Sequence, residues 1–166
     1  MSNLKVGDPV PSGAFKFIGP EGVETVTTET LFSGRNVLLI GVVGAFTPVC
    51  TQKHLPDFMP YQSELRELGL TDEVVCVSAV DPFVMRAWSR EMDPKGEIRM
   101  LTDVNAAFAE KLGLAIDLSE MGLGKRSNRY VMFARDGVID ILNVEASPNS
   151  VEETSGETVH KLLISG

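Results

Sequence analysis

Cysteine is scarce in this chain. Only Cys50 and Cys76 among the 166 residues carry a thiol. That is too few for the disulfide framework of a small secreted domain. They do not form a Cys-x-x-Cys pair either, because position 53 is Lys, which argues against an ordinary dithiol oxidoreductase. With His only at 54 and 160, the spacings supply no metal-ligand set, and no cofactor is expected. Positive charge is also in short supply. Lys and Arg number 15 against 23 Asp and Glu, for a net charge of -8 and a pI near 4.8. This argues against nucleic acid or an anionic membrane as the main partner. No apolar run approaches the roughly 20 residues of a membrane helix, and Met1–Asp8 lacks the apolar segment of a secretory signal. The composition therefore points to a soluble protein of a reducing, cytoplasmic compartment. A chain of this length fits one domain, residues 1–166. It needs no staples, since it can bury roughly 70% of its unfolded surface.

What is present is an alternation of apolar runs and turn signals, without repeats or low-complexity segments. Gly19-Pro20-Glu21-Gly22 separates two short strands, 14–18 and 23–27, into an N-terminal hairpin. Thr28–Phe32 reads as one helical turn. Residues 36–43 and 73–80 are near-continuous apolar runs of the kind that form buried strands. A helix over about 49–68 lies between them and ends at Gly69. Asp81-Pro82 starts another helix, with Asp as cap and Pro at the first helical position. Phe83, Met85 and Trp88 on it face a core or a subunit interface. A short strand over 98–101, a helix over 105–112, a hairpin turning at Arg135-Asp136-Gly137 and a helix over 159–164 complete the pattern. Strand, helix, strand, helix, then hairpin and helix predict an α/β fold: a mixed central sheet flanked by helices on both faces. With its N-terminal β-hairpin this is the thioredoxin-like arrangement.

Cys50 stands where the strand of 36–43 hands over to the next helix, in that helix's first turn. The first N–H groups of a helix lack partners and the dipole favours an anion there. The thiolate is the reactive form of cysteine. The position therefore favours a reactive thiol over a merely packed one, although free Cys is among the most buried residue types.

Gly44-Ala45-Phe46-Thr47-Pro48-Val49-Cys50, with His54-Leu55-Pro56 behind it, resembles the peroxidatic motif of the peroxiredoxins, in the type II (Prx5-like) subfamily. Val77–Trp88, Asp117-Leu118-Ser119 and Gly122–Tyr130 agree, so the resemblance runs from about Val6 to Ala146. It implies a thiol peroxidase that reduces hydrogen peroxide and organic hydroperoxides through a sulfenic acid on Cys50. Cys50 would be the nucleophile. Thr47 would hydrogen-bond both Cys50 and the peroxide, and Arg126 would support the thiolate and the transition state. Val43, Gly44, Phe46 and His54 would line the substrate. The chain departs from the family motif at Val43, where a proline normally shields the cysteine. Valine is apolar but does not fix the backbone as proline does, so altered efficiency is expected, without a change of reaction. Cys76 is either buried structure or a resolving thiol; the family offers both. With no cysteine in 145–166, the resemblance favours an external reductant, glutathione with glutaredoxin ahead of thioredoxin, and a homodimer.

Residue types alone leave bland readings beside these. Thr47 is also a plausible helix cap, His54 a structural histidine, and Lys125-Arg126 with Arg129 a solvated basic run. A redox sensor on the same fold would oxidise Cys50 without turnover. An acyl-transfer enzyme using Cys50 and His54 ranks last, for want of a third member.

Overall fold

The computed structural model describes residues 4–166. Residues 1–3, part of the N-terminal stretch read above as lacking a signal segment, lie outside the described residues. Strands β1 (Ala14–Gly19) and β2 (Gly22–Thr27) pair antiparallel across Pro20-Glu21. Helix α1 (Thr28–Phe32) follows at once, capped by the Thr27 hydroxyl. Strands β3 (Asn36–Gly41), β4 (Glu73–Ser78) and β5 (Arg99–Thr102) run parallel. The crossovers between them are α2 (Leu55–Glu67) and α3 (Pro82–Met92). Next come α4 (Ala107–Leu112), β6 (Ala115–Leu118) and β7 (Gly124–Ser127), then β8 (Tyr130–Arg135), β9 (Val138–Val144) and α5 (Gly156–Ser165). The main sheet has seven strands in the order β2-β1-β5-β4-β3-β8-β9. It is the mixed, thioredoxin-like sheet expected from the pattern.

Strand alternation divides the core in two. Leu38 and Ile40 of β3, Val74 and Cys76 of β4, and Val131 and Phe133 of β8 face one side. There they meet Leu55, Phe58 and Leu65 of α2, Met85 and Trp88 of α3, and Val159 and Leu163 of α5. Val37, Leu39, Val75, Val77 and Met132 face the other side, against Leu31 and Phe32 of α1 and Phe108 and Leu112 of α4. Burying each such side chain contributes about 1.5–3 kcal/mol. Both faces are covered, so the inner strands read as continuous apolar runs. Asp81 caps α3 as expected, accepting from the N–H groups of Phe83 and Val84 at 2.9 Å each. Of the three α3 residues assigned to a core or interface, Met85 and Trp88 are buried and Phe83 is exposed.

Three segments differ from the sequence reading. The helix after Cys50 is not uniform: Cys50–His54 form a π-helical turn, closed by the Leu55 N–H on the Cys50 carbonyl. Pro56 has no N–H for the Gln52 carbonyl, and its ring crowds that carbonyl. The chain responds with a wider turn, a device common at functional sites. The helix placed at 105–112 begins at Ala107. The Asp103 carboxylate takes the N–H groups of Phe108 and Ala109 at 2.8 and 2.9 Å, and Asn105 and Ala106 run left-handed between them. The third difference is an addition. β6 and β7 form a separate two-stranded sheet that the sequence pattern did not announce.

Candidate active site

β3 ends at Gly41, and the chain bends through Val42–Thr47 before the helical turns that carry Cys50. Phe46 lies at the crest of this bend with φ of 65°, a left-handed backbone uncommon for a bulky residue. Strain of this kind gathers at functional sites. The Thr47 hydroxyl donates to the Gly44 carbonyl at 2.6 Å and fixes the bend. Its proton is thereby committed, and its oxygen is left as an acceptor. The Thr51 N–H closes on the Thr47 carbonyl at 3.0 Å, so Cys50 does lie in the first turn of the helical segment.

The Cys50 side chain is fully buried. Its partner is Arg129, whose Nη1 donates to Sγ at 3.2 Å. The same Nη1 lies 2.8 Å from Nδ1 of His54, and Nη2 donates to the Pro148 carbonyl at 2.9 Å. His54 Nε2 lies 3.1 Å from the Thr154 carbonyl. A carbonyl only accepts, so Nε2 carries the proton and Nδ1 receives the arginine. His54 is therefore neutral. Burial, then the adjacent Arg129 charge, hold its pKa down at about 3. The Nε–H of Arg129 is buried with no partner among the described residues. Arg129 itself forms part of the wall of a cavity of about 420 Å³. Val43, Val49, Leu118, Met121, Leu123 and Pro148 make that wall mostly apolar, with Thr47 and Asn149 beside Arg129.

The arginine assigned from the sequence, Arg126, lies near enough for its charge to act on Cys50, but the hydrogen bond to Sγ comes from Arg129. Arg126 donates through Nε to the Leu123 carbonyl at 2.8 Å and reaches the Val43 carbonyl at 3.5 Å through Nη1. That Nη1 occupies the space a Cβ on Gly44 would fill. Arg126 ties the β6–β7 hairpin to the Val43 bend, and Arg129 holds the sulfur. His54 was expected to line the substrate, but it is buried behind Arg129 and orients it. Both ring nitrogens are engaged away from Sγ, so His54 is not placed as a base for acyl transfer. Val43 and Thr47 do line the cavity; Gly44 and Phe46, also expected there, are not among its lining residues, and Phe46 is half-exposed.

Cys76 lies mid-strand in β4 between Ile40 and Met100, fully buried. Burial, then the nearby Cys50, push its thiol far above the ordinary range. Both cysteines are free.

Comparison with known proteins agrees with this geometry. The Redoxin family matches residues 5–159. Peroxiredoxin-2E of Arabidopsis thaliana, a chloroplast protein, is 39% identical over 98% of this chain and 70% of its own length. Peroxiredoxin-2C of the same plant is 35% identical over 98% of this chain and all of its own. Among solved structures, reduced Prx3 of Vibrio vulnificus in complex with H2O2 superposes with a TM-score of 0.89. It is 38% identical, covering 96% of this chain and 99% of the other. Peroxiredoxin 5 of Alvinella pompejana gives 0.86 at 31% identity, covering 98% and 99%. The chain is a peroxiredoxin. It has the thiol-dependent peroxidase activity of that family, with peroxides as substrates and a thiol as reductant.

One sequence signal bore on the choice of arginine. In β8 the odd-numbered Val131 and Phe133 face the Cys50 side of the sheet, and Arg129 precedes them in the same parity. Arg126 belongs to a different hairpin, so proximity in sequence was no guide. The further peroxiredoxin residues that no motif had flagged are Pro148 and Thr154, whose backbone carbonyls hold Arg129 and His54.

Proposed function

We propose that Cys50 is the peroxidatic cysteine and that Arg129, with Thr47, assembles the peroxide against it. The observation that carries this is the Arg129 guanidinium on Cys50 Sγ at 3.2 Å, beside an apolar cavity. A charge-assisted N–H on the sulfur fixes it at the edge of the cavity. A peroxide in the cavity donates a hydrogen bond to the Thr47 oxygen and accepts one from the Arg129 Nε–H. An orphaned buried N–H costs about 1–3 kcal/mol, and peroxide binding relieves it. Sulfur attacks the nearer oxygen, the S–O bond forms and the O–O bond breaks. The proton of the attacked oxygen passes to the departing oxygen, which leaves as water or an alcohol, and the sulfenate on Cys50 takes a proton from solvent. Charge spreading over the two oxygens meets donors already in place, commonly the largest catalytic contribution. Cys50 becomes a sulfenic acid, reversible by thiols. The aliphatic wall from Leu118, Met121 and Leu123 accommodates the alkyl group of an organic hydroperoxide.

An external thiol, glutathione with glutaredoxin ahead of thioredoxin, returns Cys50 to the reduced state. Attack on a sulfenic acid needs a thiolate, and the buried Cys76, pushed upward, is a poor source of one. Exposed apolar side chains at Phe46, Phe83 and Met121, 51%, 59% and 71% exposed, support a homodimer. We place the single domain of 1–166 in a reducing compartment, the cytoplasm, which keeps both thiols free. The test is peroxide turnover coupled in turn to glutathione with glutaredoxin and to thioredoxin with its reductase. Turnover with the first system, abolished in Cys50→Ser, supports the reading. Turnover that survives the substitution refutes it.

A further inference from the structure

Residues 145–155 link β9 to α5 without helix or strand, yet this segment supplies both carbonyls that set the position of Arg129. Pro148 accepts from Arg129 Nη2 at 2.9 Å, and Thr154 accepts from His54 at 3.1 Å. A segment without regular structure holds two carbonyls in place only if something inside it is fixed. The Asn143 amide on the Glu153 carbonyl and the Thr158 hydroxyl on the Glu152 carbonyl, at 2.8 Å each, tie it from outside, and Glu145 ties it from within. Its carboxylate is buried, and Oε2 accepts from the Glu152 N–H at 3.0 Å and from both the N–H and the hydroxyl of Thr154 at 2.7 Å. The Ser150 hydroxyl lies 3.1 Å from Oε1. The Glu145 backbone is tied equally firmly. Its N–H donates to the Arg129 carbonyl at 3.0 Å, and its carbonyl accepts from Asn128 Nδ2 at 3.0 Å.

Glu145 thus grips the backbone of Arg129 with its main chain and the loop that seats the guanidinium with its side chain. No cation pairs with the carboxylate among the described residues. Every hydrogen bond the two carboxylate oxygens accept comes from this loop. Arginine has a long stem, and the Pro148 carbonyl is the acceptor that fixes Nη2. If the loop relaxes, the fork is free to turn and the Nη1 contact with Sγ lengthens.

We propose that Glu145 is a positioning residue for the peroxidase reaction, acting on Cys50 through the 145–155 loop, Pro148, Thr154 and Arg129. The proposal rests on the Cys50 reading above. Charge-assisted hydrogen bonds to a buried carboxylate are the strong kind. Outer groups of this type are felt at the reacting atom because small misplacements there are costly: about 1 Å can cost roughly 100-fold in rate.

The experiment is a double-mutant cycle on the second-order rate of reduced protein with hydrogen peroxide. It uses Glu145→Gln, Arg129→Lys and the two together, with Cys50→Ser as the blank. Glu145→Gln is expected to slow the reaction by roughly 10- to 100-fold. In the Arg129→Lys background the same change is expected to cost less than about threefold, because the group it positions is already gone. A Glu145→Gln rate within about threefold of wild type, or a full additive loss in both backgrounds, overturns the proposal; a merely structural role would give the additive result. If Glu145→Gln does not fold, Thr154→Val is read instead. It removes one donor and leaves the backbone, so a several-fold loss with the same non-additivity is expected, and no loss overturns the proposal. A wild-type rate no faster than Cys50→Ser refutes the Cys50 reading and this proposal with it. A fast wild type with unaffected variants refutes this proposal alone.

Discussion

Exchanging Arg129 for methionine separates the two arginines that the sequence places three residues apart. Methionine matches the arginine stem and removes the fork. The variant loses the N–H on Cys50 Sγ at 3.2 Å and the free Nε–H proposed for the peroxide. Removing one preorganised donor of this kind costs about 10²- to 10³-fold in rate, or about 3–4 kcal/mol of barrier. The folding side differs. The substitution strands two buried acceptors, His54 Nδ1 and the Pro148 carbonyl, at about 1–3 kcal/mol each. It also removes a buried cation, whose desolvation costs several kcal/mol, and an orphaned N–H. These oppose one another, so the change in stability should be smaller than either contribution alone. Arg126→Met removes a half-exposed tie between Leu123 and the Val43 bend and a charge that acts on Cys50 without a hydrogen bond, and should cost less than about tenfold in rate. Stopped-flow oxidation by hydrogen peroxide, with urea unfolding of the same preparations, measures both quantities. If Arg129→Met reacts within about threefold of wild type, or if Arg126→Met is the slower of the two, the assignment of Arg129 is wrong.

Three other outcomes follow from the same geometry. His54 stays neutral in the folded chain down to about pH 3 but takes a proton near pH 6.5 when unfolded. The unfolded state therefore binds more protons as pH falls, and stability drops by about 1.4 kcal/mol per unit between those values. Glu145 is held below its ordinary value, despite burial, by hydrogen bonds chiefly from Thr154. Its contribution is lost only at lower pH, below the normal carboxylate range. Urea midpoints at about pH 7, 6 and 5 should show this slope, and His54→Gln should flatten it; an unchanged slope in the variant contradicts the tautomer assigned here. Trp88 Nε1 donates to the Thr51 hydroxyl at 3.1 Å, next to Cys50. Thr51→Val should lower stability by about 1–3 kcal/mol and change the Trp88 emission, and an emission spectrum identical to wild type would refute that contact. Cys76→Ala should leave peroxide turnover with an external thiol within about twofold of wild type. Loss of turnover, with an intramolecular disulfide in the oxidised wild type by mass, would make Cys76 a resolving thiol instead.

The β-α-β core was legible because its strands are covered on both sides and must be apolar throughout. Asp81-Pro82 and Asp136-Gly137 mark their helix start and turn by backbone chemistry that few other residues satisfy; Asp136 and Gly137 both run left-handed. The β6–β7 hairpin was not legible. Residues 115–127 are half-exposed and mixed in polarity, so alternation has nothing to display. The π-helical turn was hidden for another reason: one carbonyl displaced by Pro56 leaves no compositional trace. Cys50, Thr47 and Val43 could be placed from the motif because the bend and the helix start are local. Arg129, Pro148 and Thr154 reach the sulfur from distant segments. Two of these act through backbone carbonyls, which carry no residue signature.

The most direct test of the account is a mass measurement. Reduced protein is mixed with stoichiometric hydrogen peroxide in the presence of dimedone, digested, and the adduct located. Prompt loss of peroxide with the adduct on Cys50, slowed in Arg129→Met and absent in Cys50→Ser, is the predicted result. Peroxide that persists, or an adduct on Cys76 in place of Cys50, would contradict it.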